Sequence, residues 1–135
     1  MRRFLLDTGA AGDFINRRRK VYERAKQETI QGNRVGICVP VLAELWYGIE
    51  FSATRDVNAA RLRRMLPNLT IWHFDISAAE EFGRIAAELR RLGRHIGRID
   101  IQISAIAFSL GKTTVVSADN DLKAVPGLMV ENWAV

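Results

Sequence analysis

Four acids stand far apart along this chain, and each adjoins a segment with a clear structural signature: Asp7, Glu44, Asp100 and Asp119. Carboxylates that meet in a fold repel one another, by about 4 kcal/mol for a pair ~4 Å apart at an effective dielectric near 20. A proton or a cation must offset part of that charge. All-oxygen donors suit Mg²⁺ or Mn²⁺, and the lack of His or Cys among the four argues against zinc. The chemistry such a cluster supports is hydrolysis at a phosphate centre, where a bound divalent ion stabilises the developing charge.

The four can meet only if the fold gathers them. FLL before Asp7 reads as a buried strand over residues 3–6, with the acid at its tip. VGICV is a second buried strand, LTIWHF a third, TTVV a fourth, and LMVEN a short last one. Between them lie helical patterns. Residues 10–31 suggest one or two helices, interrupted near Arg17-Arg18-Arg19-Lys20. Pro40 suits the first turn of a helix whose Leu42, Leu45, Trp46 and Ile49 form an apolar stripe. A helix over 55–66 turns Leu62, Met65 and Leu66 inward. Ser77 and Glu80 form a capping box for the next helix, whose face is Phe82, Ile85, Ala86, Leu89 and Leu92, with Gly93 as its stop and Glu81 and Glu88 as surface charges. A helix ending at Gly111 buries Ile103, Ile106, Ala107 and Leu110.

Strands alternating with helices predict an α/β fold with a parallel sheet. Sites in such sheets form at the carboxyl ends of the strands. Asp7 and Asp119 follow strands, while Glu44 and Asp100 sit near helix starts, so all four belong at that edge. Individually they have plainer roles: Asp100 also suits a helix cap, and Asp119 a turn. Glu44, flanked by apolar helix positions, needs a partner.

The 135 residues predict one domain, and 48% hydrophobic with 26% charged residues fits a globular chain. A net charge of +5, with sixteen arginines and four lysines, favours a polyanionic partner. The Arg17–Lys20 block fits either a solvated helix end or a contact to RNA. The lone Cys38 lies in an apolar run and reads as a buried thiol. No segment approaches the ~18 apolar residues of a membrane span, and MRRFLLDTG is no secretory signal. The expectation is a cytoplasmic protein without a membrane partner.

FLLDT, VPVLAELWYGIE, IGRIDIQISAIAFSLGKTTVVSADNDL and VPGLMVENW, in this order, resemble a PIN-domain ribonuclease, specifically a VapC-type toxin of bacterial toxin–antitoxin pairs. The resemblance spans nearly the whole chain. It implies a PIN-like α/β/α sandwich around a central parallel sheet of four to five strands, and usually a homodimer. It matches Asp7, Glu44, Asp100 and Asp119 to the acidic metal ligands, and Ser117 to a Ser/Thr position two residues before the last acid. It implies Mg²⁺- or Mn²⁺-dependent cleavage of RNA, often structured RNA such as tRNA or rRNA. It further implies inhibition by a cognate VapB-like antitoxin whose tail lies in the toxin's groove, with Trp46, Tyr47 and Phe51 as docking points. For Trp46, core packing is the competing role.

Two positions depart from the pattern. Gly9 replaces the usual Asn, giving DTG for DTN, and Asp121 stands close enough to Asp119 to share its role. Spacing from Ser117 favours Asp119. FLLDTG also resembles the Asp-Thr-Gly loop of aspartic proteases, which use a metal-free carboxylate dyad; that all-β fold conflicts with the helical run over 77–110. A third reading is a nucleic-acid-binding module whose acids do no cleavage.

Overall fold

A computed structural model describes residues 1–134. Five strands, β1 (Arg3–Leu6), β2 (Arg34–Cys38), β3 (Thr70–Trp72), β4 (Thr113–Val116) and β5 (Met129–Glu131), form one sheet in the order β3-β2-β1-β4-β5. Every neighbouring pair is parallel. Six helices connect and cover them as an α/β/α sandwich: α1 (Thr8–Ile15), α2 (Val21–Ile30), α3 (Val39–Glu50), α4 (Arg55–Met65), α5 (Ile76–Arg91) and α6 (Arg98–Leu110). This is the expected fold class, with five strands.

The opening strand is central because it is apolar on both faces. Phe4, Leu5 and Leu6 have no exposed surface, as a strand covered by helices on both sides requires. Burial of each contributes roughly 1.5–3 kcal/mol. Beside it, Gly36 lets β2 approach β3 closely: a Cβ there would lie 2.1 Å from the Thr70 carbonyl oxygen. No other residue fits that position without moving a backbone.

Pro40 lies in the first turn of α3, as its pattern predicts. The segment after β1 divides at the basic block, where Arg17, Arg19 and Lys20 adopt positive φ of 52°, 54° and 62°. Two details of α5 differ from expectation. Its cap is Asp75, whose Oδ1 accepts from the Ala78 amide at 2.9 Å, so the helix starts before Ser77 and no capping box forms there. Leu92 lies beyond the last helical residue and is half-exposed, whereas Ile85 and Leu89 are buried as predicted. Glu81 and Glu88 are surface charges paired with Arg84.

Candidate active site

Asp7 is where β1 ends and α1 begins. Its amide donates to the Val116 carbonyl at 3.0 Å, which fixes it against the end of β4. Its Oδ1 accepts from the Ala10 amide at 2.8 Å, capping α1. Only 7% of the residue is exposed. Burial raises its carboxyl above the ordinary aspartate range; the Ser117 hydroxyl and the Ala10 amide oppose this, and the charges of Asp119 and Asp13 add to it.

Asp100 stands in the first turn of α6, which starts after Gly97. Among the described residues no hydrogen bond engages its carboxylate, so it is not the helix cap. Its carboxyl is pushed up to about 6, first by burial and then by the charges of Asp7, Asp119, Asp121 and Glu44. The carboxyl group thus senses every acid that the sequence placed at this edge.

Asp119 and Asp121 arrive on the short 3-10 turn after β4. The Asp119 amide donates to Ser117 Oγ at 2.9 Å, and Asp119 Oδ1 accepts from the Asp121 amide at 3.0 Å. Asp119 therefore serves the turn and faces the cluster as well. One carboxylate oxygen from each of Asp100, Asp119 and Asp121 lies within 4.8 Å of the other two. The geometry brings in Asp121, which spacing from Ser117 had disfavoured.

Glu44 comes from the middle of α3 and is exposed rather than wedged among apolar neighbours. Its partner is Thr8, whose hydroxyl donates to Glu44 Oε1 at 2.7 Å. Sequence reasoning missed both Thr8 and Asp13; position in the first turns after Asp7 was the only available signal. Gly9 lies within α1, and a Cβ there would meet only Asp7 Oδ1, at 3.7 Å. Cys38 is fully buried with its thiol pushed up to about 11, an inert group. The parallel sheet and the helical setting of Gly9 overturn the aspartic-protease reading.

On the helix that carries Glu44, Trp46 is half-buried against the core with Arg63 stacked over its ring at 4.9 Å. Tyr47 and Phe51 are 69% and 78% exposed and pack on each other, centroids 5.1 Å apart.

Fold and site together define an α/β protein with a carboxylate centre at the carboxyl edge of a parallel sheet. The PIN domain profile matches residues 4–128, and the chain belongs to that family. Within it the chain groups with the VapC-type ribonucleases. It is 30% identical over 130 residues to "Ribonuclease VapC2" of Rickettsia felis, covering 96% of this chain and 97% of that one. It is 32% identical over 134 residues to the "tRNA(fMet)-specific endonuclease VapC" of Salmonella typhimurium, covering 98% and 99%. The crystal structure of DNA-bound VapBC from Salmonella typhimurium superposes with a TM-score of 0.89 at 32% identity, covering 98% and 99% of the two chains. Among the described residues no helix is long and apolar enough to cross a membrane.

Proposed function

We propose that this chain, as a single PIN domain over residues 1–135, is a metal-dependent endoribonuclease toxin of the VapC type, acting in the cytoplasm. The observation that carries the reading is the meeting of Asp100, Asp119 and Asp121, one carboxylate oxygen of each within 4.8 Å of the other two, with the charges of Asp7 and Glu44 also acting on Asp100. Each further carboxylate raises the cost of ionising its neighbours, and a bound cation offsets that cost. The donor set, all oxygen and without His or Cys, fits Mg²⁺ or Mn²⁺. Asp7, Glu44, Asp100 and Asp119 would hold the ion, with Asp121 sharing the place of Asp119.

A divalent ion bound there would polarise a phosphate oxygen and ease deprotonation of an attacking water. The protein's own work is positional. The Ala10 amide fixes Asp7, Thr8 fixes Glu44, and the Ser117-anchored turn delivers Asp119 and Asp121 together. The excess of arginine draws the RNA backbone toward a site that would otherwise repel it.

Structured RNA such as tRNA or rRNA is the substrate class, in keeping with the tRNA-specific relative. The partner is a cognate VapB-like antitoxin, as in the related VapBC complex. Exposed Tyr47 and Phe51 are the docking points, and the toxin works as a homodimer. Purified protein freed of antitoxin should cleave RNA with Mg²⁺ or Mn²⁺ and stop in excess EDTA. Tight RNA binding with no cleavage in Mn²⁺ would overturn the nuclease reading in favour of a binding module.

A further inference from the structure

Between the break that separates α1 from α2 and the outer side of α4 lies an open hollow of about 700 Å³, lined by Arg17, Arg18, Arg61 and Arg64. Among the described residues no carboxylate lines it. Among the described residues none of these four arginines forms an ion pair, whereas Arg2, Arg24, Arg55 and Arg84 all do. Arg61 is oriented by Asn16, whose Oδ1 accepts from its guanidinium at 2.9 Å. Arg17 stacks on the Tyr22 ring at 4.5 Å. Four guanidiniums around one hollow raise the local positive potential and favour an anion there.

Two further observations say which anion. A second hollow, of about 400 Å³, has Ile15, Asn16, Arg18 and Arg61 in its wall as well, together with Thr8 and Glu44. Through these shared walls the arginines adjoin Glu44, the acid of the cluster that this second hollow reaches. The backbone that presents Arg17 is also strained: Arg17, Arg19 and Lys20 all hold a left-handed conformation that L-residues avoid, and such strain collects at working surfaces. Guanidinium forks match phosphate oxygens in pairs.

We infer that Arg17, Arg18, Arg61 and Arg64 form a phosphate-binding subsite that holds the RNA backbone at a distance from the cleaved bond and aims the strand along the groove at the acid cluster. This rests on the ribonuclease reading and extends it, by fixing the side from which the strand enters.

The test is binding of a fluorescein-labelled single-stranded oligoribonucleotide of mixed sequence to cleavage-disabled Asp100→Asn protein, over a range of salt concentrations. Adding Arg18→Gln and Arg64→Gln should lower the slope of log K against log salt by about 0.7 for each phosphate that is no longer neutralised. Both residues are exposed, so folding is not at stake. Arg90→Gln with Arg91→Gln on α5 removes the same charge elsewhere and should leave the slope unchanged. Equal slopes for the two double variants would overturn the subsite. So would loss of binding to a poly-glutamate peptide with the RNA slope intact, which would make the hollow a seat for an acidic protein partner. Cleavage is measured separately on protein carrying native Asp100: a slope change without any wild-type cleavage would uphold the subsite while sinking the nuclease reading.

Discussion

The Thr8 hydroxyl donates to Glu44 at 2.7 Å, tying the first turn of α1 to the middle of α3. Of the acids gathered at this edge, Glu44 is exposed and shares its turn with no other, and this bond limits where its long side chain can swing. Thr8→Val keeps the shape and removes the donor. Groups that orient a ligand typically account for 10–100-fold in metal affinity or activity. Thr8→Val should therefore raise the Mg²⁺ concentration needed for half-maximal RNA cleavage by roughly tenfold, with Thr8→Ser near wild type. An unchanged Mg²⁺ titration would show that the bond only packs two helices.

Asp7 separates structure from chemistry. In Asp7→Asn the amide oxygen can still accept from Ala10, so the cap survives and stability should change by less than about 1 kcal/mol. Cleavage should fall by at least roughly a hundredfold, the upper end of what losing an outer group costs. Paired thermal melts and cleavage assays check both halves; full activity would remove Asp7 from the site.

The raised carboxyl of Asp100 predicts an unusual stability profile for metal-free protein. Its folded value, about 6, exceeds the ordinary 3.8, so the native state binds the extra proton between those two values. Stability is then greatest below about pH 4 for this group and is lost as pH rises through 6. Asp100→Asn should raise the Tm of metal-free protein at pH 7 by about 3–5 °C, corresponding to ~1 kcal/mol after discounting for solvent screening. Adding Mg²⁺ to the wild type at pH 7 should raise its Tm, and at limiting Mg²⁺ cleavage should fall as pH drops through 6, because the ion needs the ionised acid. A Tm for Asp100→Asn equal to or below wild type would refute the mutual repulsion.

Much of this was legible in the sequence, for reasons that stop at particular residues. The all-apolar FLL announced a strand buried on both faces, and the strand ends placed Asp7 and Asp119 at one edge. The period of α5 exposed Ile85 and Leu89 as its buried face. What escaped depends on a single side chain's aim. Asp75 and Ser77 are both good caps, and only backbone geometry chose the first. Glu44 reads as flanked by apolar residues, yet on α3 it points to solvent and finds its partner 36 positions away. Asp121 enters the cluster because a 3-10 turn folds it back toward Asp119, which no periodicity encodes.

That turn makes a prediction of its own. Asp121 offers a carboxylate oxygen within 4.8 Å of those from Asp100 and Asp119, but among the described residues its side chain holds no backbone amide, whereas Asp119 caps the turn. Asp121→Asn should thus not lower stability, should ease the repulsion on Asp100 in metal-free protein, and should weaken Mg²⁺-dependent cleavage roughly tenfold. Asp119→Ala should lose both activity and about 1 kcal/mol of stability through the missing cap. If Asp121→Asn cleaves as wild type at limiting Mg²⁺, Asp119 serves alone.

Gly9 is the position where this chain departs from the DTN pattern, and the structure shows that the departure is not forced. Gly9 lies in the first turn of α1 without a positive φ. A Cβ there meets only Asp7 Oδ1, at an ordinary 3.7 Å. Alanine should fit, and replacing a helical Gly by Ala typically stabilises by about 0.5–1 kcal/mol. Gly9→Ala should therefore raise the Tm by a few degrees and leave cleavage unchanged. Gly9→Asn places an amide beside the Asp7 carboxylate, where its N–H₂ can donate. That hydrogen bond favours the ionised form of Asp7, opposing the burial that raises it. Gly9→Asn should shift the acid limb of the cleavage–pH profile to lower pH at fixed Mg²⁺, and Gly9→Ala should not. Coincident profiles for the two variants would mean that the Asn side chain does not reach Asp7, and that Gly9 costs this site nothing.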